Sequence, residues 1–482
     1  MPDRSTLTLG LDLGTSAVKA VVLDPEGRTL ATGTSPFATA SREPGQAEQA
    51  VADWTAAVER ACTELDRALA PQAPGWRERV AAVGLAGQLP TLVCGRGDAP
   101  LSAAITWQDA RADRWAAAAI GADERRRLYA RTGMPIDGRY LGPMFHQHWR
   151  DRADEVEFVL SAKDYLVFAL TGERVTDPST AAGYAVFDIA AGAFAAELCG
   201  RWQLPARTLP AVRPAHSRAG GLTAAGARLV GLAAGLPVTV GAADSVAGAY
   251  ALTGLQEGAV SIAMGSSTII LDALRERRLD PAIRYLLTPH VAPGWYGREM
   301  DLLATGTGYA WLAGLFNWQP GELDARAACS PPGARGLTFT PYLGGGEQGA
   351  LWDPRLTGSI RGLGLQHSPS DIARALLEGI NFEIRRCTDV LAATRAIQRI
   401  VIAGQIVDRQ ASLQMLADLL QQPVEPSRLS SPAAVGAALG ARELAGLPPW
   451  SAAPAPNAAR VWPGANRATY QDLYANYLAA TP

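Results

Sequence analysis

The sequence predicts an α/β protein that contains two related domains. The first observation is a hairpin at Leu9–Leu23, in which a Gly-Thr-Ser turn joins two apolar strands. The second is a similar hairpin at Val260–Leu271, which lies about half a chain later. The third is the length, because 482 residues exceed what a single hydrophobic core usually accommodates. A repeated strand–turn–strand element therefore indicates a duplicated domain.

The first hairpin has the composition of a phosphate-binding turn. Asp12 closes its first strand, and Gly14, Thr15 and Ser16 follow. Backbone N–H groups in such a turn form a site for anions, and a carboxylate beside phosphates commonly holds Mg²⁺ through water. The same residues also occur in ordinary hairpins, and the second hairpin has Ala263 where the first has Asp12. The occurrence of two such turns favours the phosphate interpretation.

Strands alternate with helices through the first half of the chain, as in layered α/β proteins. The predicted elements are a strand at Thr29–Gly33, a helix at Asp53–Ala70, strands at Val80–Ala86 and Ala103–Trp107, helices at 122–131 and 160–171, and a strand at Pro237–Ala243. Polar residues follow several of these strands, namely Gln88, Asp109 with Arg111, and Asp244. In open α/β sheets, ligands bind outside the carboxyl ends of the strands.

The second half continues with the same alternation. Its predicted elements are a helix at Gly306–Leu315, a Pro- and Gly-rich segment at 331–349, a helix at Asp371–Thr394, a strand at Arg399–Ala403, helices at Ser412–Gln421 and Ala433–Leu444, and a surface loop at 451–458. We place the domain boundary near residue 250, which gives predicted domains at 1–250 and 251–482.

The composition excludes several classes of partner. The net charge of −2 provides no basic surface for nucleic acid or for an anionic membrane. No uninterrupted apolar run approaches the length of a membrane span. The five cysteines are scattered and odd in number, which argues against a disulfide framework. With no leader segment recognised at the start, we expect a cytoplasmic protein with reduced thiols.

These features together indicate a kinase for a small molecule. Phosphoryl transfer requires positioning, charge neutralisation and a base that orients the attacking group. Asp244 at a strand end could be that base, although an Asp there could also cap the helix that follows. The sequence has no G-x-x-x-x-G-K-[ST] motif, which excludes a P-loop kinase. His146 and His148 are expected on a surface loop or a site wall rather than at a metal.

The motifs resemble, in order and over nearly the whole chain, the FGGY family of carbohydrate kinases, most closely its xylulose-phosphorylating members. The resemblance rests on Gly10–Ser16, Gly84–Gln88, Trp107–Arg111, Lys163–Leu166, Asp177 with Ala181–Gly183, Gly241–Asp244, Met264–Ser267, Pro341–Leu343, Leu377–Gly379 and Gly436–Ala441.

The resemblance implies two actin-like ATPase (ribonuclease H-like) domains with a cleft between them. Residues 1–250 would bind the sugar and residues 251–482 the nucleotide. The implied reaction is the ATP- and Mg²⁺-dependent phosphorylation of a ketose such as D-xylulose to its 5-phosphate. A homodimer is compatible with the resemblance. A polyol, an aldonic acid or another ketose as acceptor, or a degenerate kinase that only binds sugar, remain as alternatives.

The resemblance also assigns roles to individual residues. Asp244 would be the catalytic base, and Asp12 would hold the metal. The implied substrate-binding residues are Gln88, Leu89, Trp107, Asp109, Arg111, Asp244 and Ser245. The implied nucleotide-binding residues are Gly14, Thr15, Ser16, Gly265, Ser266, Ser267 and Gly404. Trp107 could instead pack in the core, and Arg111 could instead form a helix-capping salt bridge.

The chain departs from the family pattern at four places. Leu89-Pro90 replaces the usual Met-His, and Ser245 replaces an Asn. Gly346-Glu347-Gln348 lacks the arginine of a Gly-Glu-Arg segment. Gln405 and Ile406 follow Gly404 where a run of glycines usually lets the backbone approach adenosine, and they are expected to crowd that approach. These departures are the reason for the alternatives above.

Overall fold

The computed structural model describes residues 6–319, 321–345, 348–452 and 459–481. Gly346 and Glu347, and the part of the predicted loop from residue 453 to 458, lie outside the described residues. The chain divides into two compact units. The first runs to Gly254 and includes Leu287–Tyr296 and Ser431–Ser451, and the second contains Leu255–Leu286, Gly297–Ser430 and the residues from Ala452 onward. The segment at 431–451 thus packs with the first unit, although it lies near the end of the sequence.

The first unit is built on a mixed sheet. Its strands follow the spatial order Arg218–Gly221, Pro237–Thr239, Val80–Gly87, Leu7–Leu13, Ala17–Leu23 and Thr29–Pro36, and Ala242–Ala243 also pairs with Val80–Gly87. The predicted strand at Pro237–Ala243 is interrupted at Gly241. This residue has a φ of +83°, and a Cβ there would lie 2.3 Å from the carbonyl oxygen of Leu85. The positive φ breaks the strand and turns its last two residues back onto the sheet.

A smaller sheet lies beside the first one in the same unit. It contains Glu48–Gln49, Ala104–Thr106, Thr91–Arg96 and Ala99–Pro100, with Phe158–Leu160 paired to Thr91–Arg96. Two-stranded pairs form at Val175–Thr176 with Ala211–Val212, and at Phe187–Asp188 with Ala193–Phe194. The helices of the unit are Val51–Leu69, Asp113–Ala119, Ala122–Thr132, Leu141–Trp149, Ala162–Thr171, Pro178–Ala182, Ala196–Arg201, Ala224–Val230, Asp244–Thr253 and Pro432–Leu444.

Helices cover the main sheet of the first unit through closely matched surfaces. Val51–Leu69 buries Trp54, Val58 and Leu65, which recur at helical spacing. The alanine-rich helix Pro432–Leu444 lies directly against the strands. A Cβ at Gly10 would lie 2.1 Å from the carbonyl oxygen of Ala434, and a Cβ at Gly84 would lie 1.8 Å from that of Ala437. The glycines therefore permit an approach that any side chain would prevent.

The second unit repeats the sheet-and-helix design with its own core. Its strands follow the order Tyr296–Leu302, Thr268–Leu274, Ala259–Met264, Arg399–Gly404 and Glu425–Ser427. A short pair forms at Thr338–Thr340 with Ser359–Arg361, and a further strand, Leu286–Pro289, begins at the boundary of the units. The helices are Gly306–Leu315, Glu322–Ala328, Pro369–Ala392, Gln410–Leu420 and Arg467–Ala480. The predicted α/β fold class with two domains is confirmed.

Candidate functional site

The ends of three neighbouring strands bring the predicted metal-holding, substrate-binding and catalytic residues of the first unit to one sheet edge. In the parallel pairing of Leu7–Leu13 with Val80–Gly87, Asp12 lies level with Ala86. Ala242 is also level with Ala86, from the other side of the same strand. Asp12 therefore lies on the same rung of the sheet as Ala86 and Ala242, and Gln88 and Asp244 each follow that rung by two residues. This common edge is the carboxyl end of the strands, where α/β proteins bind their ligands.

Asp12 is a buried carboxylate with an unused oxygen. It is 4% exposed, and its Oδ1 has no hydrogen-bond partner within the described part of the chain. Lys19 lies directly across from it on the adjacent antiparallel strand. Burial raises the pKa of Asp12 to about 7, Lys19 opposes that rise, and the nearby Asp244 adds to it. A buried carboxylate oxygen without a partner fits a cation.

Asp244 is the first residue of the helix Asp244–Thr253, and Ala243 is the N-cap. The alternative prediction that Asp244 caps this helix is thus wrong by one residue. Its Oδ1 accepts a hydrogen bond from the backbone N–H of Ser245 over 2.8 Å. Burial raises the pKa of Asp244, whereas this N–H and Lys19 lower it. Asp12 and Asp244 are thus close enough to interact electrostatically, with the Lys19 ammonium near both.

The Gly-Thr-Ser turn is attached to residues that the sequence analysis did not identify. Gly14 N–H donates to the carbonyl of Ala17 and closes the turn. The side chain of Gln49 donates from Nε2 to the carbonyl oxygen of Thr15 over 2.7 Å. Gln49 Oε1 accepts a hydrogen bond from Gln88 Nε2 over 2.9 Å. One buried amide thus links the turn to Gln88.

The predicted substrate residues of the first unit do not all have free polar atoms. Trp107 donates its indole N–H to Thr15 Oγ1 over 3.1 Å. Gln88 is 1% exposed, and its Oε1 has no partner among the residues described. Leu89 precedes Pro90 through a cis peptide bond and is half-buried, and Ser245 is buried.

Arg111 is held between two carboxylates. Its Nη2 lies 2.7 Å from Asp109 Oδ2 and 2.6 Å from Glu48 Oε1. Asp109 is 1% exposed and also accepts the backbone N–H of Ala47. Arg111 therefore does form a salt bridge, but its partners are Asp109 and Glu48, and the N-cap of the following helix is Ala112 without a side-chain cap. The sequence analysis missed Glu48. In the sequence, Glu48 and Gln49 appear only as two adjacent polar residues just before a helix, and this pattern does not indicate a role in a site.

The two histidines considered above lie on the helix Leu141–Trp149 and not on a surface loop. His146 stacks on Trp115 with ring centroids 4.1 Å apart. His148 lies near Arg111, and burial and that guanidinium lower its pKa. Within the described residues, no group of three or more His, Cys, Asp or Glu side chains is arranged to hold a metal ion.

A buried ion cluster supports the strand that leads to Asp244. Lys163 Nζ lies 2.8 Å from Asp164 Oδ1, 3.0 Å from Asp177 Oδ1 and 2.9 Å from the carbonyl oxygen of Val240. Ser179 donates to Asp177 and accepts the backbone N–H of Ala243 over 3.0 Å. The cluster therefore fixes both ends of the short segment before Asp244.

The second unit groups its own predicted residues at a strand edge. Gly404 is level with Met264, the residue before the Gly265-Ser266-Ser267 turn. The N–H of Gly306 donates to the carbonyl of Gly265, and the N–H of Thr307 donates to that of Ser266. Gly265 and Ser266 are exposed. The turn is thus held by the start of the helix Gly306–Leu315 and leaves its outer side open.

The expected crowding after Gly404 is wrong for Ile406, while for Gln405 it stays a prediction. Ile406 is 3% exposed and belongs to the second core, so its side chain does not crowd the end of the strand. Gln405 is exposed. Gly404 has a φ of +103°, and a Cβ there would lie 2.0 Å from the carbonyl oxygen of Met264. The positive φ and the close approach of the Met264 carbonyl together require glycine at position 404.

Comparison with known proteins identifies related sequences and structures. Residues 7–251 match the N-terminal domain, and residues 260–442 the C-terminal domain, of the FGGY family of carbohydrate kinases. A xylulose kinase of Lactococcus lactis is 27% identical over 86% of this chain and 83% of its own length. An apulose kinase of Pectobacterium atrosepticum is 28% identical over 90% of this chain and 89% of its own length. The crystal structure of a xylulose kinase from Rhodospirillum rubrum superimposes with a TM-score of 0.86, at 30% identity and 98% coverage of both chains.

Within the described part of the chain, no helix combines the length and apolar composition needed to cross a membrane.

Proposed function

The chain belongs to the FGGY family of carbohydrate kinases, and we propose that it uses ATP to phosphorylate a ketose such as D-xylulose to its 5-phosphate. Its activity is that of a phosphotransferase with an alcohol group as acceptor. The observation that carries the proposal is the shared strand edge of Asp12, Gln88 and Asp244 beside the Gly-Thr-Ser turn. The relatives named for xylulose and for apulose support a ketose as the acceptor.

In the proposed mechanism, Asp244 accepts the proton of the attacking sugar hydroxyl. Its pKa is raised by burial, which makes the carboxylate a stronger base than a free aspartate. The first helical turn behind it contributes the N–H of Ser245, which fixes the orientation of the carboxylate. Phosphoryl transfer depends mostly on such positioning, because the transferred group needs little covalent assistance.

The unpartnered oxygen of Asp12 fits the role of a Mg²⁺ ligand. Magnesium typically takes one or two carboxylates and completes its shell with water and phosphate oxygens. When bound, Mg²⁺ would neutralise phosphate charge during the transfer. Gly14, Thr15 and Ser16 in the first unit, and Gly265, Ser266, Ser267 and Gly404 in the second, are the proposed nucleotide-binding residues.

The test is the variant Asp244→Asn, assayed by coupled ADP release with ATP, Mg²⁺ and a panel of ketoses, polyols and aldonates. Loss of a general base lowers kcat by about 10²–10⁴-fold, whereas acceptor affinity measured by calorimetry should be retained. Asp98→Asn, in an exposed loop, serves as the matched control and should keep full activity. Unchanged kcat in Asp244→Asn would refute the assignment of the base.

The same panel separates the second candidate, which is a related acceptor such as another ketose or a polyol. The apulose kinase relative supports this candidate, because it is named for a sugar other than xylulose and is about as similar to this chain as the xylulose kinase is. Turnover of a polyol above that of every ketose would replace the proposed substrate. Absence of turnover together with absence of ATP–Mg²⁺ binding would favour a protein that only binds sugar.

A further inference from the structure

A cavity of about 290 Å³ opens in the first unit, and none of the predicted site residues lines it. Its walls come from Pro178 and from the segments at 187–192, 212–215 and 289–296, all of which belong to that unit. An engineered cavity of about 150 Å³ is enough to hold benzene. The space is therefore large enough for a ligand that consists of one ring and a substituent.

The loop that forms one wall of this cavity is closed by its own hydrogen bonds. The N–H of His290 donates to the carbonyl of Trp295 over 2.8 Å, and the N–H of Trp295 donates to that of Ala292 over 3.1 Å. Pro289 and Pro293 restrict the backbone further. Because the wall is already formed in the absence of a ligand, little free energy is lost in ordering it when a ligand binds.

The walls are mainly apolar and aromatic. Phe187 and Ile189 are buried, and Trp295 and Tyr296 are half-buried. Aromatic side chains provide large, flat contact surfaces. The hydroxyl groups of a sugar would find few partners among them, and burying a polar group without a hydrogen bond costs free energy. The walls therefore suit a flat apolar body and not a carbohydrate.

The cavity carries one positive charge, which lies at its exposed side. Arg213 lines the cavity and is exposed. Its Nη1 donates to the carbonyl of Ala219 over 3.3 Å, and no carboxylate among the described residues forms an ion pair with it. None of the described lining residues is acidic. His290 adds no charge, because burial and the nearby His216 lower its pKa to about 3.

An arginine without an acidic partner can bind a carboxylate through two parallel hydrogen bonds. Apolar walls with such a cation at their edge are complementary to a compound that has an apolar ring and one carboxylate. The same arrangement discriminates against a cation, since the charge of Arg213 would repel it.

We propose that this cavity is a second ligand site of the protein and that it binds a small aromatic monocarboxylate. The ring packs on the aromatic walls, and the carboxylate pairs with Arg213. The inference goes beyond the kinase function and does not depend on it, because no lining residue belongs to the proposed acceptor or nucleotide sites.

The experiment is a calorimetric titration of the full chain with benzoate, in the absence of sugar and nucleotide. Benzyl alcohol, which keeps the ring without the charge, and acetate, which keeps the charge without the ring, are the comparison compounds. We expect saturable binding of benzoate, and binding at least about tenfold weaker for each of the other two, because each lacks one of the two matched features. Benzoate that binds no more tightly than acetate or benzyl alcohol would overturn the proposal.

Arg213→Gln removes the charge and should weaken benzoate binding by about tenfold or more, while benzyl alcohol binding stays unchanged. Arg228→Gln is the matched control, since Arg228 is also an exposed arginine of the first unit but does not line the cavity. Equal benzoate affinity in Arg213→Gln and in the wild type would refute the assigned partner of the carboxylate.

Ala292→Phe fills the cavity from the half-buried loop position and should abolish benzoate binding. Ala190→Phe introduces the same side chain at an exposed position outside the cavity and should bind benzoate like the wild type. Benzoate binding that persists in Ala292→Phe, or the absence of saturable binding in the wild type, would overturn the inference. Neither result affects the kinase assignment, which is decided by turnover with ATP.

Discussion

The indole N–H of Trp107 donates a hydrogen bond to the hydroxyl of Thr15 over 3.1 Å. Trp107 belongs to the predicted acceptor residues, and Thr15 belongs to the phosphate-type turn. The carbonyl of Thr15 is held in turn by Gln49, which also binds Gln88. Residues assigned to the two substrates of a kinase therefore share one hydrogen-bond network in the first unit.

Gln49→Glu should lower kcat by about tenfold or more, because a buried hydrogen bond is worth about 1–3 kcal/mol when one partner is left unsatisfied. The amide is 1% exposed; its oxygen accepts from Trp54 and Gln88, and its nitrogen donates to Thr15 and Thr39. Glutamate retains both acceptor contacts but loses both donors. Steady-state kinetics should show a larger effect on kcat than on the KM of the acceptor.

Thr39→Val is the matched control for Gln49→Glu. It removes one partner of the Gln49 amide and leaves the bond to the Thr15 carbonyl intact. Hydrogen exchange of the peptide that contains Gly14–Ala17 should accelerate in Gln49→Glu and not in Thr39→Val. Equal exchange in all three proteins would contradict the role of Gln49 in holding the turn.

The stability of the metal-free protein should depend on the ionisation of Asp12. Burial raises the pKa from 3.8 to about 7 in the folded state, so the folded protein holds this proton more tightly than the unfolded chain. The free energy of unfolding should therefore fall as the pH rises from about 4 through about 7. Asp12→Asn imitates the neutral carboxyl and should be more stable than the wild type by on the order of 4 kcal/mol at pH 8.

Urea unfolding at several pH values between 4 and 8, without Mg²⁺, measures this difference. The advantage of Asp12→Asn should shrink to well under about 1 kcal/mol near pH 4, where Asp12 is neutral in the folded protein and only partly ionised in the unfolded chain. A constant difference between the two proteins at every pH would show that the effect comes from packing and not from ionisation.

Lys163→Met should destabilise the protein by about 3–5 kcal/mol, because it leaves Asp164 and Asp177 buried without their cation. Lys163 and both aspartates are fully buried. Arg152→Met is the control, since Arg152 and Glu155 form an exposed pair, and its loss should cost far less stability because water screens the two charges. Thermal unfolding monitored by circular dichroism compares the two, and equal losses of Tm would argue against the buried cluster as a stabilising element.

Gly404→Ala should cost clearly more stability than Gly446→Ala. Both glycines have positive φ values, +103° and +84°, so both substitutions introduce backbone strain of about 1 kcal/mol or more. Only at Gly404 would the new Cβ also collide with a carbonyl, that of Met264 at 2.0 Å, whereas the space around Gly446 is open. Chemical unfolding measures the free energy of unfolding of both variants, and the difference between them reports the cost of the collision at Gly404. Equal losses of stability in the two variants would contradict this cost.

The fold was largely predictable because its signals are local. The spacing of Trp54, Val58 and Leu65 predicted a helix, and the structure has it at Val51–Leu69. Both glycine hairpins also formed where the apolar runs placed them. The strand before Asp244 was predicted as continuous, because the sequence does not show that Gly241 adopts a positive φ beside Leu85.

The site was less predictable, because its supporting contacts join distant parts of the chain. Gln49 and Glu48 looked like ordinary polar residues before a helix. Their partners Thr15, Gln88 and Arg111 lie tens of residues away along the chain. Such contacts depend on the register of two sheets, which local patterns do not determine.

The packing of Pro432–Leu444 against Gly10 and Gly84 has a consequence for how the protein is made. A nascent chain emerging from the ribosome exposes its earliest strands long before the helix that covers them has been translated. The sheet of the first unit therefore remains incompletely covered while nearly two hundred further residues are synthesised, about the span from Gly254 to Pro432. Truncation before Pro432 should accordingly damage the part of the molecule that was translated first.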